Sequence, residues 1–140
     1  MKRRRTLALG AAAVLLGSGC SGGSSLAKTD IRLSDYKVTT GATKFAPGTY
    51  NFSIDNKGKL QHELLVFRSD LAPQSFPTES GGDVQEDGQG VDKVSDGDDV
   101  DPGKSQTRSV DLSQPGTYVF MCNLPGHYKA GMYTTVTVSA

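Results

Sequence analysis

Tyr50, Phe52 and Ile54 alternate with Asn51, Ser53 and Asp55. Successive side chains of an extended chain point to opposite faces, so this segment can bury one face and wet the other. Residues 64–67, LLVF, form a continuous apolar run just after His62 and suit an interior strand. Residues 118–121 lead directly into Cys122, and MYTTVTV at 132–138 is rich in β-branched side chains. One early strand is expected over 31–39. No segment of useful length has helical periodicity. Seventeen glycines and six prolines divide the apolar stretches with turns. Several short strands split this way predict an all-β sandwich or barrel. APGTYNF (46–52) and QPGTYVF (114–120) share PGTY, where Pro-Gly makes a turn and tyrosine opens a strand.

The chain has 140 residues, enough for one compact domain. It starts MKRRRTLALGAAAVLLGSGC. A basic cluster at 2–5 precedes an apolar run at 7–16 that is too short to cross a bilayer, so residues 1–19 read as a secretion signal. Gly17, Ser18 and Gly19 before Cys20 resemble a bacterial lipobox, with the leucine one place further from the cysteine than usual. Cys20 is then the lipidated first residue of a mature protein held on the outer face of the cell membrane or in the periplasm. An ordinary signal peptide with a stray cysteine is the plainer alternative. Residues 20–29, with SGGSS at 21–25, make a lipidated N-terminus and flexible tether. Residues 30–140 make the folded domain. Arg4-Arg5 also allows twin-arginine export.

Without Lys2 and Arg3 to Arg5, eleven basic side chains face fifteen acidic ones, a net of −4. Nucleic acid is excluded as a partner, because it calls for a basic face. The acidity is concentrated: residues 79–101 carry nine carboxylates and one base, Lys93. Such an insertion is expected to be a solvated, partly mobile loop, with docking of a basic partner as a functional alternative. DGDDVD at 96–101 lacks the spacing and closing glutamate of an EF-hand calcium loop.

CNLPGHYKAGM, residues 122–132, carries the chemistry. If Cys20 bears lipid, Cys122 has no disulfide partner, and a lone thiol in an oxidising compartment must be buried or bound. Cys122, His127 and Met132 are evenly spaced, and Pro125-Gly126 supplies a turn that can fold the three side chains back toward one point. Thiolate and imidazole bind copper strongly, and a thioether adds a weak, soft contact; a second imidazole would complete a trigonal plane. The only other histidine is His62. The plainer alternatives are a core cysteine beside a surface turn histidine, or a Cys122–His127 nucleophile; the nucleophile leaves Met132 and His62 unexplained. Met121 is expected in the core and Tyr128 at the surface or rim. Tyr36, Phe45, Tyr50, Phe52, Phe67 and Phe120 are expected to pack.

FMCNLPGHYKAGM, with HELLVF upstream and PGTYNF before it, resembles the type 1 blue copper proteins, the cupredoxins. The Cys-x4-His-x4-Met loop is similar to that of auracyanin and rusticyanin, and longer between Cys and His than in plastocyanin; azurin belongs to the same broad group. The resemblance spans roughly residues 30–140 apart from the acidic insertion. It implies a Greek-key β-sandwich of about eight strands with one type 1 copper near one end. His62, Cys122 and His127 would be equatorial ligands and Met132 a weak axial one. His127 would lie near the surface, ringed by Leu124, Pro125, Ala130 and Pro47. The family often has asparagine after the first histidine; here Glu63 stands there and Asn123 follows the cysteine, so either is expected to brace the ligand loop.

The implied function is one-electron transfer between Cu(I) and Cu(II), with redox proteins of an extracytoplasmic electron-transfer chain as partners. The alternative is an extracytoplasmic copper protein for storage or delivery, but such sites usually add exposed methionines or histidines, and this chain has none to spare. An enzyme is not expected: copper oxidases need more histidines than two, and a binuclear copper site needs a second nearby cysteine.

Overall fold

The computed structural model describes residues 28–140, so the expected signal segment, Cys20 and most of the tether lie outside the described residues. Among the described residues, nine strands form two sheets: β1 Asp30–Ser34, β2 Lys37–Thr40, β3 Lys44–Phe45, β4 Gly48–Asn56, β5 Leu65–Arg68, β6 Asp92–Ser95, β7 Ser105–Leu112, β8 Gly116–Met121 and β9 Tyr133–Val138. One sheet has the order β2-β1-β4-β7, the other β3-β9-β8-β5-β6. The chain leaves the first sheet after β4, builds β5 and β6 in the second, and returns as β7 against β4. That crossing makes the Greek key. The count exceeds eight through β3, two residues paired parallel to the end of β9. Among the described residues the helical content is one 3-10 turn, Pro73–Ser75, and no helix is long and apolar enough to cross a membrane.

The alternation in β4 works as the period demands. Phe52 and Ile54 are fully buried between the sheets with Ile31, Leu33, Val110, Leu112, Phe120 and Val136. Each large apolar side chain so removed from water contributes about 1.5–3 kcal/mol. The central strands β5 and β8 are covered on both faces, which is why they read as continuous apolar runs. The two PGTY motifs solve one local problem twice: Tyr50 and Tyr118 each donate their hydroxyl to the carbonyl four residues earlier, Ala46 and Gln114, at 2.8 Å.

The single early strand is in fact a hairpin. Ser34 pairs with Lys37 and Leu33 with Val38, so Asp35 and Tyr36 form a two-residue turn. Buried positions switch from odd (31 and 33) to even (38), which one continuous strand cannot do. Tyr36 takes φ 61°, a left-handed conformation usual for glycine or asparagine.

The acidic insertion is not a solvated loop. It contributes β6 to the edge of the second sheet, a bridge between Thr78 and Val84, and a bridge from Val100 to His62. Phe76 and Val84 turn back onto the outer face of that sheet and form a second core with Leu65, Phe67, Val119, Met121 and Tyr128. None of the carboxylates of 79–101 is buried, while Phe76 and Val84, with the partly buried Val91, do the anchoring, a pattern that net charge alone hides. Met121 is buried, as expected. Tyr128 is buried rather than at the rim, with its hydroxyl donating to the Pro73 carbonyl at 2.6 Å.

Candidate metal centre

The site lies past the C-terminal ends of β4 and β8. The segment leaving β4 is held down by Asn56, which is fully buried. Its side-chain amide donates to the Leu60 and Val100 carbonyls at 2.8 and 2.7 Å, and its Oδ1 accepts from the Gly58 amide. His62 follows, fixed by two backbone bonds with Val100. From the other side, β8 delivers Cys122. The loop after it closes on itself: the Cys122 amide donates to the Met132 carbonyl and the Met132 amide to the His127 carbonyl, both at 3.1 Å. Within it, His127 N–H bonds the Leu124 carbonyl at 2.8 Å, the turn that Pro125-Gly126 was expected to make.

These two segments bring His62, Cys122 and His127 together, with one donor atom of each within 4.8 Å of the others. His127 Nδ1 stands 3.2 Å from His62 Nδ1 and 3.2 Å from Cys122 Sγ. Met132 is fully buried in the same cluster as Cys122. Two imidazole nitrogens and a sulfur at such separations fit one ion at metal–ligand bonds of about 2.0–2.3 Å. Soft sulfur with imidazole is the donor chemistry that favours copper.

Burial pushes the Cys122 thiol up to about 11, against the opposing amides of Glu63 and Leu124. His127 is held below its ordinary value by burial and then by the neighbouring His62. A cation placed among them favours thiolate and neutral imidazole, the ligand forms.

The expected bracing is shared between Glu63 and Asn123. The Glu63 amide donates to Cys122 Sγ at 3.4 Å, while its carboxylate accepts from the Asn123 amide at 3.1 Å. Burial raises that carboxyl to about 7 despite the Asn123 bond. The Asn123 side chain turns outward to the acidic insertion. It accepts from the Val84 amide at 2.7 Å and donates to the Val84 carbonyl and to Glu86, both at 3.1 Å. Asp83 accepts from the Gly126 amide at 3.0 Å. The insertion therefore grips the ligand loop at two points.

Three participants escaped the sequence reading. Asp35 bonds His62, Gly58 lets the two approach, and Tyr36 sets its ring edge-on to His127 with centroids 5.4 Å apart. Tyr36, expected to pack, is 48% exposed and packs through this edge-on contact. Pro47 cannot ring His127: it precedes Gly48, which pairs with Leu112 at the opposite end of the sandwich. Leu60, exposed beside Asp35, stands on the site's own side instead. The change of buried parity between residues 33 and 38 was the signal for the turn; nothing local marked Asp35 as a partner of His62.

Comparison with known proteins agrees with this arrangement. The family described as copper binding proteins, plastocyanin/azurin family, matches residues 31–139. Auracyanin-B of Chloroflexus aurantiacus is 42% identical over 40 residues, 29% of this chain and 17% of that protein, so the match spans a minor part of the relative's length. Among solved structures, dithionite-reduced auracyanin from Roseiflexus castenholzii superposes with a TM-score of 0.56 at 23% identity, covering 79% of this chain and 95% of the other. Rusticyanin from Thiobacillus ferrooxidans gives a TM-score of 0.56 at 15% identity, covering 81% and 79%. At these identities the structures speak for the fold, whereas the family match runs through both segments that build the site. The chain belongs to the plastocyanin/azurin family of copper-binding proteins.

Proposed function

We propose that this protein is a mononuclear blue copper electron carrier, in which His62, Cys122 and His127 hold the ion and Met132 gives the weak axial contact. The observation that carries the reading is the convergence of His62, 60 residues upstream of Cys122, on Cys122 and His127 in one buried cluster. Copper, when bound, supplies a single electron on passing from Cu(I) to Cu(II). The chain's own part is to keep the donors still and dry. Two backbone bonds fix His62, a closed loop fixes Cys122 and His127, and the sandwich core backs Cys122 and Met132. A frame this constrained needs little rearrangement between oxidation states. His127 is the least buried of the four, at 9% exposed, with the exposed Tyr36 edge-on to its ring, so small transient contacts with redox partners would form there.

Full burial of Cys122 and His62 supports a carrier over a protein that hands its metal on, and over a thiol enzyme. The partners would be redox proteins of an extracytoplasmic chain. The reading of residues 1–19 as signal, Cys20 as lipid anchor and 30–140 as the functional domain places the carrier at the outer face of a membrane.

The test is the visible spectrum of the protein loaded with Cu(II). A strong thiolate-to-copper charge-transfer band, absent in Cys122→Ser, is expected. Copper uptake without such a band would overturn the proposal.

A further inference from the structure

We propose that Asp35 is a positioning residue for the metal centre, fixing the tautomer of His62 and lowering the reduction potential of the site through its negative charge. The inference rests on the blue copper reading above.

Asp35 Oδ1 lies 3.2 Å from His62 Nε2. The other ring nitrogen, Nδ1, faces His127 Nδ1 at the centre of the donor cluster. A neutral imidazole has one N–H, and an ionised carboxylate can only accept. The pair therefore places the proton on Nε2 and leaves the Nδ1 lone pair for the ion.

The contact is built rather than incidental. The same Oδ1 accepts from the Lys59 amide at 2.8 Å and the Leu60 amide at 3.1 Å, so the backbone leading into His62 holds the carboxylate in place. Gly58 makes that approach possible. A Cβ there would sit 2.3 Å from Asp35 Oδ1, 2.9 Å from His62 Nε2 and 3.0 Å from the Asp35 amide. The turn that presents Asp35 also sets Tyr36 against His127, so one two-residue turn touches both histidines.

A carboxylate bonded to a ligand imidazole makes the ring more basic and adds negative charge beside the ion. Both favour the more highly charged cupric form. The carboxylate is 34% exposed, so solvent screens part of the effect.

Two measurements test this on the full domain. In metal-free protein, nitrogen-15 NMR reads the His62 tautomer. Wild type and Asp35→Asn, whose amide oxygen still accepts, are expected to show the proton on Nε2; Asp35→Leu is expected to show a tautomer mixture. In copper-loaded protein, the reduction potential is expected to rise in Asp35→Asn, which keeps the shape and loses the charge. An unchanged tautomer in Asp35→Leu, or an unchanged potential in Asp35→Asn, overturns the proposal. A wild-type protein lacking the charge-transfer band would refute the blue copper reading instead, and the metal-free measurement would still decide on Asp35.

Discussion

Glu63 holds the start of the ligand loop at two points: its amide donates to Cys122 Sγ at 3.4 Å, and its carboxylate accepts from the amide of the next residue, Asn123, at 3.1 Å. The first bond uses backbone and survives substitution. The second uses the side chain and crosses between the two segments that make the site. Glu63→Ala is therefore expected to loosen the ligand loop and lower copper affinity by about 10–100-fold. Glu63→Gln keeps an acceptor and should stay near wild type. Competition against a chelator of known affinity checks both; equal affinities in Glu63→Ala and wild type would remove Glu63 from the frame.

Met132 has a simpler part. It is buried with Cys122, and its backbone already bonds those of Cys122 and His127. Met132→Leu preserves volume and should cost less than about 1.5 kcal/mol of stability. The loop keeps its backbone bonds, so the charge-transfer band should persist. If the thioether is the weak axial donor proposed above, its loss removes a contact that helps the cupric form, and the reduction potential should rise. A potential equal to wild type would mean that Met132 serves the core alone.

Much of the fold was legible because the signals were periodic. Alternation over 50–55 gave β4, the apolar runs gave β5 and β8, and the Cys122, His127, Met132 spacing gave the loop. What stayed hidden depends on partners distant in sequence. Asp35 finds His62 only because a hairpin turns at residues 35 and 36, and an acidic side chain in a turn looks like any solvated one. The acidic insertion was misleading for a related reason. Its charge describes its outer face, whereas its order comes from Phe76, Val84 and the bond of Asn123 to a backbone 39 residues away.

Within that insertion Lys93 bonds Glu86 at 2.7 Å and Asp96 at 2.8 Å. The ammonium holds the Asp96 carboxyl below the usual 3.8. A carboxyl lowered on folding adds stability that is present above its unfolded value and is lost as pH falls through the folded one. The groups are partly exposed, so the gain is at most about 1 kcal/mol. Lys93→Met should lower the urea midpoint slightly at pH 7, and the gap from wild type should close below about pH 3–4. A gap that stays constant with pH would assign the loss to packing of the lysine stem.

Asn123 joins the insertion to the ligand loop. It pairs with the Val84 amide and carbonyl in the manner of a neighbouring strand, and Val84 is itself held by the second core. Asn123→Ala leaves the Val84 amide without its partner in a half-buried setting. A lost bond with an unsatisfied donor costs about 1–3 kcal/mol. Since the Val84 bond is local, the opening should be local too: hydrogen exchange at the Val84 amide should accelerate far more than at Val119 in β8. Phe76→Ala attacks the same clamp from its apolar side and should cost up to about 3–5 kcal/mol. If the insertion supports the metal centre, both variants should speed copper loss to a chelator, although neither side chain belongs to the donor set. Copper release unchanged in both would show that the insertion only covers the sheet.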